Sequence, residues 1–141
     1  MLIRKITAAD AAQIAALSGQ LGYKFSAEKT AIQIAAINNS TNDIAFAATD
    51  NNKIIGWIHV FYTIRLECDS YCEIGGLVID ESYRGKGVGT MLIEHIKPWC
   101  AEKKCAQIRV RSNSKRTGAH KFYEHLGFKQ SKQQNVFELV V

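Results

Sequence analysis

The sequence has a single proline among its 141 residues and no low-complexity stretch, internal repeat or linker. A chain of this length and evenness suits one compact domain with one core, here expected to span residues 1–141. Long hydrophobic runs are also missing. The longest strongly apolar segment, residues 54–64, falls far short of the roughly 20 residues that a membrane-spanning helix needs, so no membrane partner is expected. Met1 leads into Leu2, Ile3, Arg4, Lys5 and Ile6, which lack the apolar block of an export signal. The expected compartment is therefore the cytoplasm. The four cysteines, Cys68, Cys72, Cys100 and Cys105, lack the tight spacing of zinc sites, and a chain of this size needs no disulfide staples. They read as reduced thiols, and no metal is expected.

What is present is positive charge. Eighteen Lys and Arg face thirteen Asp and Glu, a formal balance of +5. A basic surface attracts nucleic acid, an anionic surface or a small polyanion. The charge concentrates over residues 109–121, with few aromatics interleaved. That pattern fits a small phosphorylated ligand at least as well as nucleic acid, which is the weaker reading.

The pattern of apolar residues predicts the elements. Residues 2–6 form a first strand. Thr7 with Asp10 three residues on reads as a helix start, and Ile14, Leu17 and Leu21 follow at helical spacing. Ser26 caps a second helix ended by Asn38, Asn39 and Ser40. Residues 44–49 and 53–65 form an antiparallel hairpin about Asp50, Asn51 and Asn52. Tyr71–Ile79 is a further strand, and its paired Gly75 and Gly76 predict a bulge or a close approach to its backbone. Residues 87–104 form a helix with Val88, Met91, Leu92, His95, Ile96 and Trp99 on one face and a kink or loosened turn at Pro98. A strand at 108–111, a helix at 117–126 stopped by Gly127, and a closing hairpin of 128–131 with 136–140 complete the chain. The fold class is α/β: a mixed, mostly antiparallel sheet of about seven strands flanked by helices, with a parallel strand–helix–strand unit from Tyr71 to Arg111.

The most informative segment is the connection after Tyr71–Ile79, where Gly85, Gly87 and Gly89 alternate just before a helix. A helix start carries N–H groups without internal partners and the positive end of the macrodipole. Glycines let several such groups close on one anion, and Arg84 and Lys86 add charge. A pyrophosphate suits this arrangement. The P-loop order of glycines, lysine and hydroxyl is absent, and the dinucleotide fingerprint fails because its third glycine position holds Thr90.

Arg84, Gly87 and Gly89 stand in the spacing Arg-x-x-Gly-x-Gly, which resembles the acetyl-CoA signature of the GNAT superfamily of N-acetyltransferases. The strand Gly76, Leu77, Val78, Ile79 and the later run from Ala119 through Phe122, Tyr123 and Leu126 to Phe128 are similar to that family too. The resemblance runs from about Glu73 to Phe128. It implies an acyl-CoA-dependent N-acetyltransferase with acetyl-CoA as co-substrate. Arg84, Gly85, Lys86, Gly87, Val88, Gly89 and Thr90 would hold the pyrophosphate. The backbone of Leu77, Val78 and Ile79 would pair with the pantetheine arm like an added strand, and the neighbouring strand at 108–110 would splay away to admit it. Many members carry Asn seven residues before the tyrosine of the second motif. Here that position is Arg116, with Asn113 one helical turn earlier; one or the other would reach the pantetheine, and Arg116 could instead meet a phosphate or the substrate.

Acetyl transfer to an amine needs an acceptor for the amine's proton, donors for the oxyanion, and help for the departing thiolate. The resemblance implies Tyr123 as the acid; from spacing alone it reads as a core residue beside Ala119, Phe122 and Leu126. Glu73, next to the glycine pair, is the expected base, directly or through a water, with a strand-surface salt bridge as its other reading. His59 and His120 stand in reserve. The acceptor is a small-molecule or peptide amine, walled by residues 21–25 or 66–70. A homodimer is left open. A non-catalytic acyl-CoA sensor and a nucleic-acid-binding module are the competing classes.

Overall fold

The computed structural model describes all 141 residues. They form two compact units, Met1–Val110 and Arg111–Val141. The first contains β1 (Leu2–Lys5), α1 (Ala11–Gly19), α2 (Ala27–Asn39), β2 (Asp43–Asp50), β3 (Lys53–Thr63), β4 (Tyr71–Ile79), α3 (Val88–Glu102) and β5 (Ile108–Val110). The second contains α4 (Thr117–His125).

In the first unit one sheet runs in the order β1-β2-β3-β4-β5. The first three pairings are antiparallel; β4 and β5, joined through α3, are parallel. The central strand β3 is the most deeply buried, with Ile54, Ile55, Ile58 and Val60 at most 1% exposed. Each such side chain contributes about 1.5–3 kcal/mol of hydrophobic stabilisation.

The two faces of the sheet are covered by different helices. Ala45 and Ala47 of β2, with Ile54 and Val78, pack against Ile14 and Leu17 of α1 and Ile34 of α2. Phe46, pointing the other way, meets His95 of α3 edge to face, with ring centroids 4.6 Å apart. The buried side of α3 is Val88, Gly89, Leu92, Ile93, Ile96 and Cys100. This corrects the expected face. Ile93 turns inward, whereas Met91 and His95 are exposed, so the stripe is rotated by part of a turn. The helix continues through Pro98.

Helix starts follow the sequence signals. Ser26 Oγ accepts the Lys29 N–H at 3.1 Å. Asp10 Oδ2 accepts the Thr7 N–H at 2.8 Å, and the same carboxylate takes two hydrogen bonds from the Arg4 guanidinium at 2.8 and 2.9 Å.

In the second unit, Asn113 Oδ1 accepts the Lys115 N–H and its carbonyl accepts the Arg116 N–H, both at 2.9 Å, forming the turn that leads into α4. Gly127, at φ +95°, closes that helix, and the Phe128 N–H returns to the Tyr123 carbonyl at 3.0 Å. The closing hairpin is not formed, so the sheet has five strands rather than seven. Val136, Phe137, Leu139 and Val140 have strand-like composition but are 80% or more exposed. Composition marks a segment that fits a pleated surface. A strand exists only where a partner takes its N–H and C=O groups, and residues 129–141 have none in a ladder.

Candidate active site

The glycine-rich connection before α3 takes the turning backbone that its spacing predicts. After β4, Asp80 Oδ1 accepts the Ser82 N–H at 2.9 Å and starts a short turn at Glu81–Tyr83. Arg84 is extended, and Gly85 and Gly87 follow at φ +77° and +84°. This left-handed backbone is open to glycine at little cost. A Cβ at either glycine would meet nothing within 4 Å, so the loop surface is clear for a ligand. Gly87 is the N-cap of α3, and the first helical bond is from Met91 N–H to the Gly87 carbonyl at 3.0 Å. The amides of Val88, Gly89 and Thr90 precede it and have no partner within the helix.

No acidic residue stands in the first turn of α3 to compete for those amides. Arg84 and Lys86 are exposed beside them. Lys86 Nζ lies 5.2 Å over the Tyr83 ring, and the Tyr83 hydroxyl is anchored to Asp50 at 2.8 Å. A diphosphate suits this loop: open backbone, unpaired amides, a helix N-terminus and two cations.

Strand β4 supplies the second part. Its parallel pairing with β5 covers only Cys72 with Ile108, Glu73 with Arg109, and Ile74 with Val110. Residues 75–79 are paired to β3 alone. The outward N–H and C=O groups of this stretch, Leu77 among them, form an edge without a strand partner, at whose end the Ile79 carbonyl accepts the Arg84 Nε–H at 3.4 Å.

The register changes where that edge starts. His59 opposes Gly76, and Val60 opposes Ile74, so Gly75 is an extra residue, a bulge. The reason for two glycines is visible on β3. A Cβ on Gly75 would stand 2.8 Å from His59 Nδ1 and 3.2 Å from Phe61, and one on Gly76 would stand 2.6 Å from Trp57. The expected close approach is made by the rings of the neighbouring strand. Gly75 remains exposed.

Glu73 lies directly opposite Phe61, two residues along β3 from His59, so the carboxylate and the imidazole share the face covered by α1 and α2. Glu73 is 9% exposed. His59 Nε2 is 2.8 Å from Asp43 Oδ1. Asp43 escaped the sequence reading, because a bulge in the first hairpin decides which face it shares. Ile55 is an extra residue there; without it His59 would oppose Ile44 rather than Ala45, placing Asp43 and His59 on opposite faces.

Four of the remaining expected residues lie in the second unit. Tyr123 of α4 is half-buried between Phe122 and Phe128, whose ring centroids are 5.3 and 5.5 Å away. Burial pushes its phenol up from the ordinary value, partly offset by the Arg116 charge. Asn113 Oδ1 accepts within its own turn, and both Asn113 and Arg116, the N-cap of α4, are exposed. His120 Nε2 is 2.9 Å from the Asn113 carbonyl oxygen, which ties it to the same turn.

A family model, that of the acetyltransferase (GNAT) family, matches residues 13–128. The chain belongs to the GNAT acetyltransferase family. No curated protein matches it in sequence. Among solved structures, the GNAT chain is similar in fold to a ligand-free aminoglycoside 6'-N-acetyltransferase from Acinetobacter haemolyticus, with TM-score 0.87, 16% identity, and 100% and 99% of the two chains covered. It is likewise similar to the aminoglycoside acetyltransferase AAC(6')-Iy, solved with a bisubstrate analogue of CoA and acetylneamine, with TM-score 0.85, 19% identity, and 99% and 98% covered. A protein from Bacillus halodurans described as a transcriptional regulator shares the fold with TM-score 0.86, 23% identity, and 98% and 99% covered. Identities this low establish the GNAT fold alone. No helix of the GNAT chain is long and apolar enough to cross a membrane.

Proposed function

We propose that residues 1–141 work as one N-acetyltransferase domain that moves the acetyl group of acetyl-CoA to the primary amine of a small molecule by direct attack on the thioester. One observation carries the reading: Gly85 and Gly87, both at positive φ with clear space above them, deliver the chain into the unpaired first-turn amides of α3. Family membership and the open edge at residues 75–79 support it.

In this reading the diphosphate is held by the amides from Arg84 to Thr90, with Arg84 and Lys86 beside them. The pantetheine amides pair with the outer edge of Leu77, Val78 and Ile79. Arg116, exposed at the N-cap of α4, is the contact from the second motif, with the Asn113 amide one turn earlier as the other candidate. The thioester carbonyl lies at the Gly75 bulge, where backbone groups are exposed. Glu73 takes a proton from the amine, and Tyr123 protonates the leaving thiolate.

The acceptor is proposed as a small cationic amine. The aminoglycoside acetyltransferases that share the fold act on such molecules by their names. The α1–α2 connection, with Tyr23 and Phe25 exposed, offers an acceptor wall on the same side of the sheet as Glu73.

The test is binding of acetyl-CoA. A ligand that binds only the folded chain at about a hundredfold excess over Kd should raise Tm by roughly 5–10 °C. Arg84→Ala and Lys86→Ala should keep the unliganded Tm and lose most of the rise. No rise in the wild type at saturating acetyl-CoA would contradict the reading.

A further inference from the structure

His59 is held by a chain of polar contacts that the acetyltransferase reading does not yet use. The Ser40 hydroxyl donates to Asp43 Oδ2 at 2.7 Å, and itself accepts the Asn42 N–H at 3.1 Å. The other oxygen of Asp43 meets His59 Nε2 at 2.8 Å. A carboxylate only accepts, so the proton sits on Nε2 and the lone pair of the neutral ring is on Nδ1. Nδ1 is the atom closest to the bulge, 2.8 Å from where a Cβ on Gly75 would stand. The Phe61 ring flanks the imidazole, with centroids 5.8 Å apart. The imidazole is thus fixed in tautomer and direction, with its acceptor nitrogen facing the one place where β4 breaks register. It is also reachable, with the His59 side chain 23% exposed.

We propose that His59, oriented by Asp43, is a second catalytic base of the acetyl transfer and takes one of the two protons that an ammonium acceptor must shed. The proposal rests on the reading above and adds a residue to it. The chemistry calls for two acceptors. An alkylammonium loses a first proton, to Glu73, before its lone pair is free. That lone pair then forms the C–N bond, and the carbonyl pair moves onto oxygen. The nitrogen is now cationic again and still holds two hydrogens. One passes to Nδ1 of His59, making an imidazolium whose charge faces Asp43. The oxyanion re-forms C=O, the C–S bond breaks, and the thiolate receives its proton from the acid. Ammonium and thioester have become amide, thiol and one proton, which leaves to solvent. Glu73 and His59 are suited to share this task because they stand on one face of adjacent strands, either side of the bulge.

The experiment compares wild type, His59→Gln, Asp43→Asn and His59→Ala for Tm, acetyl-CoA Kd and kcat with a turned-over amine. His59→Gln should lose roughly 10²-fold in kcat while acetyl-CoA Kd and Tm stay near wild type. Asp43→Asn should lose about tenfold or more, because an amide can donate to Nε2 and move the ring proton onto Nδ1. Free imidazole should restore part of the kcat of His59→Ala, a response that a purely structural histidine would not give. The inference is overturned if kcat in His59→Gln stays within about twofold of wild type, or if its loss tracks a lowered Tm without imidazole rescue. Either result leaves the acetyltransferase reading standing. A wild type that binds no acetyl-CoA and turns over no amine removes both.

Discussion

Trp57 stands so close to Gly76 that a Cβ there would lie 2.6 Å from Cη2 and 2.7 Å from Cζ3 of the indole. The glycine is therefore required by its neighbour on β3, independently of any ligand. Overpacking of this kind typically costs about 1–3 kcal/mol. Gly76→Ala should lower Tm by roughly 3–10 °C. Gly85→Ala makes the contrast: its Cβ meets open space, and only the left-handed backbone opposes it, by about 1 kcal/mol. Thermal unfolding of the two variants side by side checks this; equal Tm values would contradict it.

Much of the backbone at the candidate site was legible in the sequence because glycine has few reasons to alternate. Gly85, Gly87 and Gly89 before a helix, and Gly75 with Gly76 inside a strand, both marked backbone geometry that the structure contains. The parallel unit of β4, α3 and β5 was equally readable from its order of apolar runs. What stayed hidden depends on parity and on partners. The extra residue Ile55 sets which face Asp43 shares, and a single-residue shift leaves no mark in composition. The alternation of residues 136–140 reads as a strand, but no ladder in the structure takes those residues up.

Arg4 and Asp10 give the chain an acid-sensitive clamp. The hydrogen bonds from Arg4, with the Thr7 N–H, hold the Asp10 carboxyl below its ordinary value against the opposing effect of burial. The stabilisation is therefore present above the unfolded pKa, near 4, and is lost as pH falls through the lower folded value. Arg4→Met should be less stable than wild type at pH 7 by on the order of 1 kcal/mol, since the guanidinium is half exposed. The gap should shrink toward zero in strong acid. Urea unfolding of both proteins from pH 7 to pH 2.5 measures this, and a gap independent of pH would contradict it.

Tyr123 separates catalysis from packing. Tyr123→Phe keeps the ring between Phe122 and Phe128, so the fold and acetyl-CoA affinity should persist. A lost general acid costs roughly 10²–10⁴-fold in rate, and at least a tenfold fall in kcat, about 1.4 kcal/mol, is expected. If Tyr123 is a packing residue, kcat is intact and only Tm moves.

The central claim, acetyl transfer to an amine, is tested most directly by incubating the protein with acetyl-CoA and a broad panel of primary amines while reading free thiol. Thiol release is expected to depend on both the protein and one class of small cationic amine, with stoichiometric N-acetylated product by mass. Tight acetyl-CoA binding without thiol release on any amine would contradict it and make the chain a carrier or sensor of acyl-CoA.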